Sequence, residues 1–465
     1  MIRLEDIKTL FFLGIGGIGM SALARYFHSR GYHVCGYDRT PSDLTRELEA
    51  EGLAVIYDDD PEIIAHQSDI INPHTTLVVR TPAVPDDNRI YTRLREQGFD
   101  IRKRAEVLGL VTRAQKALCV AGTHGKTTTS TMIAYVTANT PSADTSSAGI
   151  NAFLGGISLN YNTNVLIDPQ NEYVVVEADE YDRSFHYLTP YISVITAVDP
   201  DHLDIYGTAE AYREAFAHYT SLISGALVMK QGIALEPRLQ PGVKCYTYGW
   251  DNAHNIRIGD GQLMFDYVSP LATIRDIRLG VPVWVNIENA VAAITVALLV
   301  GVPEEQIKER MASFRGVLRR FNIHVNTPRV AYVDDYAHHP EEIATAIDSI
   351  RRLYPERRLI GVFQPHLYTR TRDFADGFRR VLATLDECML LPIYPARELP
   401  IPGVTSEMLI ERTREGDERM KVVEKTALIN ELKKHVAESP SPVVILTVGA
   451  GDIDRLVPAI TEALK

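Results

Sequence analysis

The sequence predicts an α/β protein built as three domains on largely parallel sheets, and three observations carry the prediction. The chain has 465 residues, where an ordinary domain takes about 100–200. Short apolar runs alternate with helix-like segments over most of that length, the pattern of parallel strands covered by helices. Two glycine-rich turns, at 14–19 and 122–125, each follow an apolar run and precede a helical one.

In chain order, "TLFFLGIG" reads as a buried strand, and "GMSALARYFHSRG" after it has helical period and a glycine stop. "HVCGYD" is the next strand. "ALCVAG" then opens a second strand–loop–helix unit, and "EYVVVEAD" and "ISVITAVD" continue it. "GWDNAHNIRIGDGQLMFDYVSP" alternates in polarity between turn residues and reads as an antiparallel insert. "AVAAITVALLVGV" is shorter than the ~20 residues of a membrane helix and reads as a buried core helix. "RVAYVDDY", "RLIGVFQP", "CMLLPIYP" and "PVVILTVG" are strands of the last part. "VLGLVTRAQK" and "GVLRRFNIHVNTPRV" separate the parts. The expected domains are therefore 1–112 and 323–465, both Rossmann-like, flanking a P-loop domain at 113–322.

Composition narrows the function. A net charge of -12 argues against binding nucleic acid or an anionic membrane. Cys35, Cys119, Cys245 and Cys388 are scattered, which disfavours a disulfide scaffold or zinc site and points to a reducing cytoplasm. "MIRLEDIKTL" lacks the apolar core of a signal peptide.

The first turn, "GIGGIGM", places Gly14, Gly16, Gly17 and Gly19 between a strand and a helix, with Asp38 at the end of the next strand. Such glycines let backbone approach a pyrophosphate at a helix N-terminus, and the acid can meet a ribose hydroxyl. Alone, the turn fits an NAD-dependent dehydrogenase, or merely close helix packing. The second turn, "AGTHGKTTT", holds Gly122, Thr123, His124, Gly125, Lys126, Thr127 and Thr128. It is a P-loop shortened relative to the common G-x-x-x-x-G-K-[ST], since Val120 stands where the first glycine belongs. Lys126 is placed for the β/γ-phosphates and Thr127 or Thr128 for Mg²⁺. A hydride-transfer enzyme has no evident need of it; a diphosphate-bearing substrate in the first domain and ATP in the second pair more coherently.

Acids gather after the following strands. "VEADEYDRSF" carries Glu177, Asp179 and Glu180, and "AVDPDHLDIYGT" carries Asp199, Asp201 and His202. Beside a P-loop such groups suit Mg²⁺ held partly by phosphate oxygens, or are simply solvated loop residues. In the last part, "VDDYAHHPEEI" supplies Tyr336, His338 and His339, and "FQPHLYTRTRDF" supplies His366, Arg370 and Arg372. A histidine there can take a proton from an amine, and arginines at a strand end clamp carboxylate or phosphate.

These motifs, in this order, resemble the Mur ligase family of cell-wall synthesis, whose shortened loop "GTHGKTT" matches. "RAEVLG", "EADEYDRSF", "DHLDIYG", "GVLRRF", "DDYAHHPEEI", "FQPHLYTRTRDF", "YPARELPIPG" and "VGAGDI" extend the resemblance over the whole chain. The resemblance implies an ATP- and Mg²⁺-dependent cytoplasmic ligase, monomer or homodimer, joining L-alanine to UDP-N-acetylmuramate through an acyl phosphate. A ligase adding a recycled tripeptide to the same sugar nucleotide is the neighbouring alternative. By motif match, Gly14, Gly16, Gly17, Gly19, Asp38 and Arg104 would face the sugar nucleotide. The loop residues 122–128 with Asn286, Asn289 and Arg320 would face ATP, and Thr127, Glu177 and His202 the metal. Tyr336, His338, His366 and Arg370 would receive the amino acid and the muramyl carboxylate, with Lys126, His338 and Arg370 catalytic. Closure about residues 321–326 would exclude water. Two positions depart from the family: Val285 replaces a histidine before Asn286, and Leu367 stands where relatives often have arginine. "TAEAYREAFAHY" has no lysine to be carbamylated, as in the alanine-adding type.

Overall fold

A computed structural model describes residues 6–65, 70–138, 149–168, 170–259, 262–396, 398–410 and 419–465. The chain divides into two compact units. One runs to Gly259 and adds Met264–Gly280 and Glu288–Arg315; the other holds Val281–Ile287 and Gly316–Lys465.

The first unit opens with a five-stranded parallel sheet: β1 (Thr9–Leu13), β2 (His33–Tyr37), β3 (Ala54–Ile56), β4 (Thr76–Arg80) and β5 (Asp100–Lys103), in the order β3-β2-β1-β4-β5. β1 is buried along its whole length, as "TLFFL" requires with helices on both faces. The strand order reverses at β1, so the crevice beyond its carboxyl end is where a ligand fits an open sheet of this kind. That end is the glycine turn, which leads into the helix Ile18–Ser29.

A seven-stranded sheet follows: β6 (Lys116–Ala121), β7 (Asn151–Ser158), β8 (Thr163–Leu166), β9 (Tyr173–Ala178), β10 (Pro190–Ile195), β11 (Ala226–Lys230) and β12 (Lys244–Tyr248). Their order is β12-β11-β10-β6-β9-β7-β8. All neighbours are parallel except β7 and β8. One apolar cluster, from Leu10 and Phe12 through Val107 and Phe153 to Phe216 and Leu227, serves both sheets, which explains why 1–112 does not separate here as its own compact body. Chain continuity then gives β13 (Ala253–Gly259), β14 (Gln262–Val268) and β15 (Thr273–Leu279), a three-stranded sheet in that order. The sequence anticipated its first two strands and missed β15, whose charged alternation "TIRDIRL" buries only every second or third residue. The apolar run of the core helix lies in Asn286–Leu299 and is buried throughout Ala290–Ala297.

The second unit has β16 (Asn322–Asn326), β17 (Val330–Asp335), β18 (Arg358–Phe363), β19 (Glu387–Leu390), β20 (Met420–Val422) and β21 (Val443–Val448). The order is β16-β17-β21-β18-β19-β20, and only β16 is antiparallel. Val333, Phe363 and Leu446 pack on one face and Tyr332, Val362 and Ile445 on the other, as two-sided burial requires. Val285, at the departure from the family pattern, packs with Val281 against the first of these clusters. Among the described residues no helix is long and apolar enough to cross a membrane.

Candidate active site

Three adjacent strands of the seven-stranded sheet end together, with Ala121 of β6 paired to Ala178 of β9 and to Ile195 of β10. The loops after them build the first half of the site. Gly122 has φ +138, and a Cβ there would lie 2.2 Å from Thr196 Oγ1 and 2.8 Å from the Ala197 nitrogen. The shortened loop thus turns tightly against the β10 loop, where only glycine fits. Its next residues are fastened to the same loop. The Thr123 N–H donates to the Ala197 carbonyl at 3.2 Å, the Thr123 hydroxyl donates to the Asp199 carbonyl at 2.7 Å, and Thr196 donates its hydroxyl to the His124 carbonyl. Gly125, at φ +80, caps the helix Lys126–Thr137, whose N-terminus suits a phosphate. Thr127 lies buried in its first turn. Asn289 accepts from the Thr129 hydroxyl of that turn at 3.1 Å, which places it beside the loop; Asn286 belongs to the second unit and directs its amide to the Val281 carbonyl.

Lys126 donates to the Gly122 carbonyl at 2.6 Å and pairs with Glu180 at 2.7 Å. Burial works against its ammonium, yet Glu180, Glu177 and Asp179 outweigh it and hold Lys126 above its ordinary range. Burial pushes the Glu180 carboxyl up against the pull of Lys126. With a direct 2.7 Å contact we read the pair as ionised. Two tyrosines that sequence reasoning passed over brace this arrangement. Tyr206 donates to the Glu180 carbonyl at 2.5 Å, Tyr212 meets the Thr123 hydroxyl at 2.9 Å, and the two rings stand edge to face at 4.8 Å. Their only signal in the sequence is the aromatic residues following "DHLD".

Glu177 and His202 differ in setting. The Glu177 carboxylate has one oxygen, Oε2, buried without a hydrogen-bond partner among the described residues. His202 sits at φ +53, with its ring against Tyr181 at 5.1 Å and 3.7 Å from Asp201. Among the described residues no three His, Cys, Asp or Glu side chains form a metal cluster.

A cleft of about 330 Å³ leads from this half of the site to the first sheet. Its walls include Gly17, Gly19, Thr81 and Arg104 on one side and Gly155, Glu177 and Asp179 on the other. Arg104 lies over Gly19: a Cβ there would be 2.6 Å from Nη1, so a larger residue would push the guanidinium aside. Arg104 also reaches Asp179 at 3.4 Å, so it spans the cleft. Asp38 turns one oxygen back to accept from the Gly16 N–H at 2.8 Å, so that carboxylate oxygen shapes the turn itself.

In the second unit, Tyr336, His338, His366 and Arg370 come together beyond β17 and β18. The His338 ring is 5.3 Å from Tyr336 and 6.3 Å from His366. Arg370 can only donate, so its 3.2 Å contact makes His366 Nδ1 an acceptor and leaves the proton on Nε2. His338 Nδ1 lies 3.1 Å from the Tyr336 carbonyl, which fixes the proton on Nδ1 and the lone pair on Nε2. Burial lowers the His338 pKa to about 4, so the ring is neutral at pH 7. Arg320 stacks over Tyr336 at 5.2 Å. Asp335, pushed up to about 6 by burial, holds the turn by accepting from the Phe321 and Ala337 N–H groups at 2.8 and 2.7 Å. Leu367 begins the helix Tyr368–Asp373 at φ +70, a strained position for a branched side chain.

A shortened P-loop fastened beside the buried Glu180, with a cleft from Glu177 and Asp179 to a dinucleotide-type glycine turn, defines the class: an α/β protein with two turns of the kind suited to phosphate. Three protein-family models match along the chain: the Mur ligase family catalytic domain over residues 9–116, the Mur ligase middle domain over 120–297, and the Mur ligase glutamate ligase domain over 319–451. The chain belongs to the Mur ligase family. It is 55% identical to the UDP-N-acetylmuramate–L-alanine ligase of Phocaeicola vulgatus, over 99% of both chains. It is 50% identical to the ligase of the same name from Parabacteroides distasonis, over 99% of this chain and 98% of that one. Among solved structures it resembles the UDP-N-acetylmuramate-alanine ligase of Thermotoga maritima, with 27% identity, a TM-score of 0.75 and coverage of 98% and 99%.

Proposed function

We propose that this protein is an ATP-dependent ligase that joins L-alanine to the carboxylate of UDP-N-acetylmuramate through an acyl phosphate, in peptidoglycan synthesis. The observation that carries the reading is the cleft that runs from the Gly17–Gly19 turn and Arg104 to Glu177, beside Lys126. It supports a diphosphate-bearing substrate reaching the γ-phosphate of ATP.

The chemistry follows from the groups present. Carboxylate and ATP are both anionic, so attack on the γ-phosphate needs positive charge at the transferring group. Lys126, kept protonated by three neighbouring carboxylates, supplies it once it leaves the Gly122 carbonyl for the phosphates. Mg²⁺, when bound, neutralises phosphate charge and stabilises the developing negative charge. Thr127, Glu177 and His202 are the residues that would hold it. The buried oxygen of Glu177, without a hydrogen-bond partner among the described residues, fits that role, since Mg²⁺ takes carboxylate oxygen together with phosphate and water oxygens. Residues 122–128 with Asn286, Asn289 and Arg320 would hold ATP. Gly14, Gly16, Gly17, Gly19, Asp38 and Arg104 would hold the sugar nucleotide.

The amine of alanine arrives as an ammonium and must lose a proton before attack. His338 is in the form to accept it, neutral with Nε2 bare, although a pKa of about 4 makes it a weak base until the site rearranges. Arg370 would hold the amino-acid carboxylate beside His366 and Tyr336. Residues 1–112, 113–322 and 323–465 would act as the sugar-nucleotide, ATP and amino-acid domains. Residues 322–326 form β16, paired antiparallel to β17 within the second unit, so the hinge expected about 321–326 falls inside a sheet and is not where closure would bend the chain. The setting would be the cytoplasm, with the protein a monomer or homodimer.

The test is phosphate release with ATP, Mg²⁺ and UDP-N-acetylmuramate while L-alanine, glycine, L-serine or a murein tripeptide is added one at a time. Release that needs both the sugar nucleotide and L-alanine is expected. Preference for the tripeptide would move the protein to the recycling reaction.

A further inference from the structure

We infer that Gly155 is a positioning residue for Glu177, and this rests on the ligase reading above. The segment "NAFLGGISLN" departs from regular sheet at this point. β7 pairs with β9 only as far as Phe153, and its pairing with β8 jumps from Phe153–Val165 to Ser158–Thr163. Four residues of β7 therefore stand against one of β8, a bulge of the kind that re-aims a strand beside a functional site. The bulge brings Gly155 into the wall of the cleft, next to Glu177 and across from Gly17 and Gly19.

The reason for glycine there is space. Its φ lies outside the left-handed region, so the backbone conformation does not demand it. The atoms that a Cβ would meet first are those of the Glu177 carboxyl: Oε2 at 2.2 Å, the carboxyl carbon at 2.6 Å and Oε1 at 2.7 Å. The carboxylate thus lies against bare main chain. Among the described residues Oε2 has no hydrogen-bond partner to hold it. The empty place of the Gly155 side chain is what lets Glu177 stay aimed into the cleft between the two phosphate-binding turns. A methyl group would turn the flexible carboxylate aside and leave the strand intact.

Three variants test this: G155A, E177D and G155A/E177D. Each is measured for thermal unfolding, for Mn²⁺ binding in the presence of ADP by electron paramagnetic resonance, and for phosphate release. G155A should unfold as the wild type does while losing about 10- to 100-fold in metal affinity and kcat, the range for partners that orient a metal ligand. E177D withdraws the carboxylate by one methylene, so adding G155A to it should cost less than threefold. Full additivity of the two substitutions, or a G155A protein with wild-type metal binding, would overturn the inference. A wild-type protein that binds Mn²⁺ with ADP but releases no phosphate with any acceptor would instead count against the ligase reading, leaving the Gly155–Glu177 coupling to be read from the metal titration.

Discussion

Replacing Lys126 by methionine should destabilise the first unit in a way that depends on pH. Lys126 and Glu180 are 14% and 3% exposed at the side chain, with nitrogen and oxygen 2.7 Å apart. Removing one partner of so buried a pair costs about 3–5 kcal/mol. The remaining carboxyl can escape part of that cost by taking a proton. From an ordinary value of about 4.3, holding a glutamic acid neutral at pH 7 costs about 2.7 units at 1.36 kcal/mol each, or about 3.7 kcal/mol. This sets a ceiling on the penalty within the same range. In K126M the folded-state pKa of Glu180 is raised further above its unfolded value. The folded form then binds the extra proton, so its stability is retained at low pH and lost as pH rises. Between pH 5.5 and 7.5 the K126M deficit should therefore grow by up to about 2.7 kcal/mol. K126M/E180Q should be less destabilised and show no such growth. The chain has two tryptophans, Trp250 in the first unit and Trp284 in the second, so urea unfolding in a W284F background follows the first unit alone. A K126M deficit that is flat with pH and equal to that of the double variant would refute the ion-pair reading.

Further outcomes follow from the same geometry. G122A forces a Cβ to 2.2 Å from Thr196 Oγ1 at a φ of +138, and should lose ATP binding in titration calorimetry together with about 1–3 kcal/mol of stability. Because burial lowers the His338 pKa to about 4 from 6.5, the unfolded chain binds more protons between those values. Stability should thus fall as pH drops from 6.5 towards 4, and H338N should flatten that slope in urea titrations. Y212F removes the hydroxyl that meets Thr123 and should raise KM for ATP several-fold with the fold unchanged, seen as a KM effect larger than the kcat effect.

Much of this site could be read from the sequence because its parts are local. The glycine turn, the shortened loop and "VEAD" each combine a buried strand with the residues just beyond it, so strand ends placed them. The missing glycine at Val120 mattered most: Gly122 is held by the β10 loop, which makes the turn shorter than the common one. What escaped reading depends on partners distant in the chain. Glu180 was one acid in a cluster until Lys126 was found 2.7 Å away. Tyr212 braces Thr123, 89 residues before it, and Tyr206 holds the Glu180 carbonyl, 26 residues before it. β3 and β20, of three residues each, are too short for any periodicity to mark. The bulge in β7 hides the Gly155 contact because register, not composition, creates it.

In the proposed reaction the muramyl carboxylate itself attacks ATP, at the end of the cleft that Glu177 and Asp179 line. The most direct test carries ¹⁸O in both oxygens of that carboxylate and follows the label by mass spectrometry during turnover with L-alanine. One ¹⁸O atom in each released phosphate, with the other in the new amide, is the predicted result. Phosphate free of label, formed at the same rate as the amide, would contradict the account.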